Sequence, residues 1–229
     1  MPYQWQGTPF DRVDYLWYCM DFTALDFETA NNARESACEI GLSRVEGGRV
    51  VETKSWLVKP VGPFLPWNVR IHGIRPDHVA QAPSFADLWP ELQPWLDGQV
   101  LVAHNASFDL SVLKHTLAHY GLAQPSVAFF CSLQVARSTW QGLPSYSLGG
   151  LALSHDVEPM NYHRAGDDAE TCARITLKAA RYHLAQNADE LMEATGLRLG
   201  RLWEGGYTGT GKKGAEARPN RRRYYARRG

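Results

Sequence analysis

A chain of 229 residues, 44% of them hydrophobic, is long enough for one well-buried domain with appendages, and its composition argues against a disordered body. No apolar run approaches the roughly 18 residues of a membrane helix, and residues 1–20 lack the basic region and long apolar stretch of a signal peptide, so a soluble cytoplasmic protein with no membrane partner is expected. The formal net charge of zero hides an asymmetry: of 24 Lys/Arg and 24 Asp/Glu, ten basic and two acidic residues follow Thr195, leaving 14 and 22 in the body.

Residues 1–20 are rich in aromatics (Tyr3, Trp5, Phe10, Tyr15, Trp17, Tyr18) and read as an N-terminal extension; Met20 is a second candidate start, and the sequence alone does not decide. From Asp21 the pattern predicts strands at 22–26, 37–45 and 50–58, the last two joined by a Gly47-Gly48 hairpin turn. Residues 59–83 hold five of the 13 prolines and read as a long loop. A helical segment at 84–96 follows, interrupted or kinked by Pro90 and Pro94. Next come a buried strand at 100–103, a helix at 107–120, a strand near 127–131, shorter helices at 133–139 and 148–153, and a long helix from Asp168 to about residue 185. Three hairpin-like strands followed by alternating helices and strands describe a mixed α/β sheet flanked by helices. The expected organisation is a single domain over 21–187 with a Gly-rich basic C-terminal tail over 188–229. Cys19, Cys38, Cys131 and Cys172 form no C-x-x-C pair, so buried reduced thiols are expected rather than zinc ligands.

Four stretches carry the chemistry: Asp26-Phe27-Glu28-Thr29, His104-Asn105-Ala106-Ser107-Phe108-Asp109, His163 and Asp168. Like charges brought within a few Å do not all stay ionised unless cations neutralise them, so converging carboxylates imply bound metal. Hard oxygen donors without cysteine suit Mg²⁺ or Mn²⁺, and two such ions about 3.5–4 Å apart form a clamp for in-line attack on a phosphodiester. Alternation along a strand puts Asp26 and Glu28 on one face. Asn105 is a good N-cap, which places Phe108 and Asp109 in a first helical turn. His163 and Asp168, five residues apart, would sit about 140° apart around a helix, so His163 must lie off it. Asp167 with Glu170 reads as a capping-box-like start, leaving 163–166 as a mobile loop and Asp168 in the first turn. From such a loop His163 can take a proton from the attacking water, since an imidazole ordinarily titrates at about pH 6.5. His104 is expected to support the strand end.

These stretches, with Asn68-Val69-Arg70-Ile71-His72-Gly73-Ile74 and Tyr162-His163-Arg164-Ala165-Gly166-Asp167-Asp168-Ala169, resemble the DEDDh branch of the DnaQ-like 3′→5′ exonucleases, over roughly residues 21–184. Within that family the proofreading epsilon subunit of bacterial DNA polymerase III and its stand-alone homologues look most similar. The resemblance implies a ribonuclease H-like fold and hydrolysis of nucleic acid to nucleoside 5′-monophosphates. It implies two Mg²⁺ or Mn²⁺ held by Asp26, Glu28, Asp109 and Asp168, with Asp26 shared, and His163 as general base. Family spacing favours Asp168 over Asp167 as ligand. By resemblance Thr29, Ala30, His72, Ile74, Asn105 and Phe108 contact the terminal nucleotide. Single-stranded DNA is the expected substrate and a DNA polymerase subunit a candidate partner. The alternatives are an RNA-directed enzyme of the RNase T or oligoribonuclease type, and a silent nucleic-acid-binding module whose signature, a missing acid or His, is absent here.

Overall fold

The structure, a computed structural model, describes residues 20–157 and 163–214. Its frame is a seven-stranded mixed sheet. Three antiparallel strands open the chain: β1 (Phe22–Thr29), β2 (Ala37–Glu46) and β3 (Arg49–Leu57). Between β2 and β3 the turn is made by Gly47 and Gly48, both at positive φ, the conformation a tight hairpin needs.

The long proline-rich connection is not all loop. It contains a short helix, α1 (Pro66–His72), which starts with proline at its first position and stops at the left-handed Gly73. The next helix, α2 (Phe85–Leu96), runs unbroken through Pro90 and Pro94, so the expected interruption is absent. A capping box between Ser84 and Asp87 starts it, and burial of Leu88, Trp89, Leu92, Trp95 and Leu96 offsets the hydrogen bonds that the prolines remove.

Strand β4 (Val100–Ala103) then joins β1 in parallel, and α3 (Ser107–His119) leads to β5 (Val127–Cys131), parallel to β4. Helices α4 (Ser132–Thr139) and α5 (Leu148–Ser154) precede the long α6 (Ala165–His183). A further helix, α7 (Ala188–Thr195), is capped by Asn187, whose side chain accepts the Glu190 N–H.

The segment read as a tail from 188 is therefore folded as far as Lys212. After α7 come β6 (Leu197–Arg198), β7 (Gly200–Trp203), β8 (Gly206–Thr208) and β9 (Gly211–Lys212). Strand β7 pairs antiparallel with β5, and β8 closes that edge, giving the order β3-β2-β1-β4-β5-β7-β8; β6 and β9 form a separate two-stranded ribbon. Gly200 is required there: a Cβ would stand 2.4 Å from the Phe129 ring.

The sheet is covered on both faces. Leu25, Phe27, Ile40 and Leu42 pack with α2 and α3 residues, while Phe22, Ala24, Val102 and Phe130 pack with residues of α6 and α7. Cys38, Cys131 and Cys172 are buried free thiols, as expected; Cys19 lies outside the described residues. Among the described residues no helix is long and apolar enough to cross a membrane.

Candidate active site

Strand β1 outruns its parallel neighbour. Its last residue paired with β4 is Ala24, against Val102, whereas its pairing with β2 continues to Thr29, with Asp26 opposite Gly41 and Glu28 opposite Glu39. A cleft is thereby left beyond the carboxyl ends of the parallel strands, the place where open α/β sheets bind ligands. Asp26 and Glu28 share the face of Phe22 and Ala24, the one covered by α6.

The other two acids come from the first turns of two helices. In α3, the buried Asp109 accepts the Phe27 N–H through Oδ1 at 3.2 Å, which occupies the edge of β1 that β4 leaves unpaired. Asn105 is not its cap: Asn105 takes a left-handed conformation in the turn at φ +71° and Ala106 is the N-cap, because asparagine tolerates that region where most residues do not. In α6, Asp168 accepts the His163 N–H through Oδ2 at 3.1 Å.

That helix begins at Ala165, three residues earlier than expected. Arg164 is its N-cap residue, and Asp167 lies inside the first turn rather than capping it. Residues 165 and 166 are therefore helical, and only His163 and Arg164 of the expected loop stay outside. The reason is contact: β2 carries glycine at position 41, where a Cβ would stand 2.0 Å from the Ala165 carbonyl carbon, so the first turn lies directly on the strand.

The result is a convergence. Ligand atoms of Glu28, His163 and Asp168 all lie within 4.8 Å of one another. Burial, then the charges of Asp109, Glu28, Asp168 and Glu39, push the Asp26 carboxyl well above the usual range. Glu28 is pushed up to about 8 by burial and then by Asp168, with Arg164 opposing. Asp109 is pushed up to about 7, mainly by burial, although the Phe27 N–H and Arg34 pull it down. Asp168 is raised by burial against the opposing hydrogen bond from His163. Four acids that do not all ionise alone, in a cluster of hard oxygen donors, fit divalent cations such as Mg²⁺ or Mn²⁺.

Beside the acids runs a groove of about 480 Å³, lined among others by Glu28, Thr29, Arg34, Trp67, Asn68, Ile71, His72 and Phe108. Of the residues expected at a nucleotide, Thr29, His72 and Phe108 are on it. Ala30 and Ile74 are buried behind it with Cys38 and Val79, and Asn105 is exposed on its turn outside the groove lining. His72 is buried, with both ring nitrogens engaged: Nδ1 accepts the Ile74 N–H at 3.0 Å and Nε2 donates to the Thr29 carbonyl at 3.2 Å. It is thus a neutral brace for Thr29, and burial lowers its pKa. Asn68 donates to the same carbonyl at 2.9 Å. His104 supports the end of β4 as expected, its ring bonded to Ser132 Oγ at 2.9 Å and the Tyr146 carbonyl at 3.0 Å.

Sequence reasoning missed Trp67, two-thirds exposed on α1, Ile71 one turn on, and Arg34, whose guanidinium lies 4.5 Å above the Phe108 ring. An apolar pair at i, i+4 after a helix-starting proline was a readable signal for Trp67 and Ile71. Arg34 had none.

An acid cluster of hard oxygen donors in a cleft at the strand ends of a mixed sheet is the kind of site at which a hydrolase can hold divalent cations. The exonuclease family model RNase_T matches residues 23–176, which include all four acids and His163. The chain belongs to this exonuclease family. It is 31% identical over 160 residues to a DNA polymerase III PolC-type of Caldanaerobacter subterraneus subsp. tengcongensis, covering 69% of this chain and 11% of that protein. It is 28% identical over 160 residues to the 3′-5′ exonuclease DinG of Staphylococcus epidermidis, covering 69% and 18%. The chain thus spans between about a tenth and a fifth of the length of these curated relatives. Among solved structures, Exonuclease X in complex with 5′ overhanging duplex DNA matches with TM-score 0.64 and 27% identity over 76% of this chain and 99% of that one. The nuclease domain of 3′hExo, a DEDDh family member, shares the fold at TM-score 0.59 and 15% identity, over 70% and 92%. The ribonuclease H-like fold and the DEDDh resemblance read from the sequence are borne out.

Proposed function

We propose that the chain is a metal-dependent 3′→5′ exonuclease that removes nucleoside 5′-monophosphates from single-stranded or frayed DNA. The observation that carries this reading is the convergence of Asp26, Glu28, Asp109 and Asp168 with His163 beside a groove whose lining includes Trp67 and Phe108. The polarity is supported by the similarity to a 3′-5′ exonuclease, and DNA by the Exonuclease X complex.

Two divalent cations held by Asp26, Glu28, Asp109 and Asp168 would supply positive charge against the acids and polarise the scissile phosphate. The chain's own groups do the rest. Thr29, braced by Asn68 and His72, presents the end of β1 to the terminal sugar. Phe108 and Trp67 offer ring faces on which a base can stack without regard to its identity. The imidazole of His163, outside the helix and exposed, accepts the proton of the attacking water. As the water oxygen bonds to phosphorus, the P–O3′ bond breaks; the terminal nucleoside leaves with its 5′-phosphate, and the O3′ of the shortened strand takes up a proton from solvent.

A side-by-side assay of 3′-labelled single-stranded DNA, mismatched duplex and RNA tests this. Expected are mononucleotide 5′-phosphates from the first turnover, with single-stranded DNA cut fastest. Internal cleavage, or release from the 5′ end, would refute the polarity; faster RNA hydrolysis would move the substrate to RNA.

A further inference from the structure

The backbone that carries His163 is held from both sides. Its own N–H is taken by Asp168 Oδ2. The two residues that follow are taken by Glu39, a carboxylate on the neighbouring strand β2 whose side chain is 1% exposed. Glu39 accepts Arg164 Nη2 at 3.1 Å through Oε1 and the Ala165 N–H at 3.2 Å through Oε2. Ala165 N–H belongs to the orphan donors that open every helix, and no side chain of the cap residue serves α6. Glu39 therefore caps the helix from across the sheet while pairing with its N-cap residue.

Between these two anchors His163 stands at φ +64°, a left-handed conformation that a non-glycine residue keeps only where its surroundings hold it. An ion pair between a buried carboxylate and a half-exposed arginine contributes little to stability compared with apolar packing, so its presence one residue from His163 asks for another account. We infer that the Glu39–Arg164 pair positions His163. It fixes the start of α6, and with it the strained residue ahead of the helix, so that the imidazole stays beside Glu28 and Asp168. Glu39 itself touches neither substrate nor reacting atoms; it is a positioning residue. The inference rests on the reading of His163 as general base.

The test is a double-variant cycle on the full chain, with a 3′-labelled single-stranded oligodeoxynucleotide at saturating Mg²⁺, comparing wild type, Glu39→Gln, His163→Ala and both together. Displacing a catalytic group by about 1 Å costs on the order of 10²-fold, so Glu39→Gln is expected to lower kcat by roughly 10–10²-fold. KM should change by no more than about twofold, because substrate binding is untouched. In the His163→Ala background Glu39→Gln should have no further effect on kcat, since the group it positions is gone. Multiplying losses in the double variant would overturn the inference and leave the base assignment standing. So would a Glu39→Gln loss that more Mg²⁺ restores, which would place its action on the acid cluster. Full activity of His163→Ala would sink the base assignment, and the positioning role with it. If Glu39→Gln does not fold, Arg164→Met, at a half-exposed side chain, carries the same cycle.

Discussion

Asp26 and Glu28 gain their chemistry from where β1 ends rather than from what they are. On a solvated strand end they would titrate as ordinary acids; here burial first, then the charges of neighbouring carboxylates such as Asp109 and Asp168, hold their protons on. A carboxyl raised in the folded state stabilises the fold fully below its ordinary value, 4.5 for Glu28 and 3.8 for Asp109, and that contribution is lost as pH rises through the folded-state value, about 8 for Glu28 and about 7 for Asp109. The metal-free protein should therefore lose thermal stability between about pH 5 and pH 8. Mg²⁺ should raise Tm more at the alkaline end, because binding expels those protons. Melts at the two ends with and without Mg²⁺ check this, and equal Mg²⁺ shifts would contradict it. Asp26→Asn is expected to raise the metal-free Tm at the alkaline end while abolishing hydrolysis; a lower Tm would contradict the repulsion. His163→Ala should lower kcat roughly 10²–10⁴-fold yet keep the Mg²⁺-dependent rise in Tm. The acids and His163 were legible because each lies in a short motif of fixed spacing. Glu39 and Arg164 were not: 125 positions separate them, and a contact of that range leaves no local pattern.

The first turn of α6 shows where helix-start rules stop working. Asp167 and Glu170 have the spacing of a capping box, yet α6 starts at Ala165, because the turn is docked on β2 through Gly41 and its first N–H is met by Glu39. Tertiary contact overrides a local cap. Gly41→Ala is expected to force the turn away from the strand, destabilising the fold by roughly 1–3 kcal/mol as overpacking does. Because the shift carries Asp168 and His163 with it, activity should fall more than the change in Tm accounts for. Denaturant melts with parallel kinetics measure both, and unchanged values would show that the close approach is not needed. Helix α1 is the opposite case. Its proline start and glycine stop were readable in the sequence, but five prolines across the segment outweighed them in favour of loop.

At the scale of the molecule the sheet is completed by residues that sequence reading assigned to a tail. Short strands rich in glycine carry little hydrophobic alternation, so β7 and β8 become strands only because the edge of β5 and the Phe129 ring, stacked on Tyr207 at 5.6 Å, await them. Any truncation that probes the basic end therefore has to fall after Gly214. Removing 215–229 takes away Arg218, Arg221, Arg222, Arg223, Arg227 and Arg228. If those arginines track a phosphate backbone, the slope of log affinity for single strands against log salt should flatten by up to about 4, at about 0.7 per phosphate. Equal slopes for the two chains would make the segment a bystander. The measurement that bears most directly on the whole reading is Mg²⁺ add-back to protein stripped with EDTA, following nucleoside 5′-monophosphate release from a 3′-labelled single strand. The expected result is silence in EDTA, full recovery with Mg²⁺ in the wild type, and none in Asp26→Asn. Hydrolysis that persists in the stripped protein, or returns in Asp26→Asn, would contradict it.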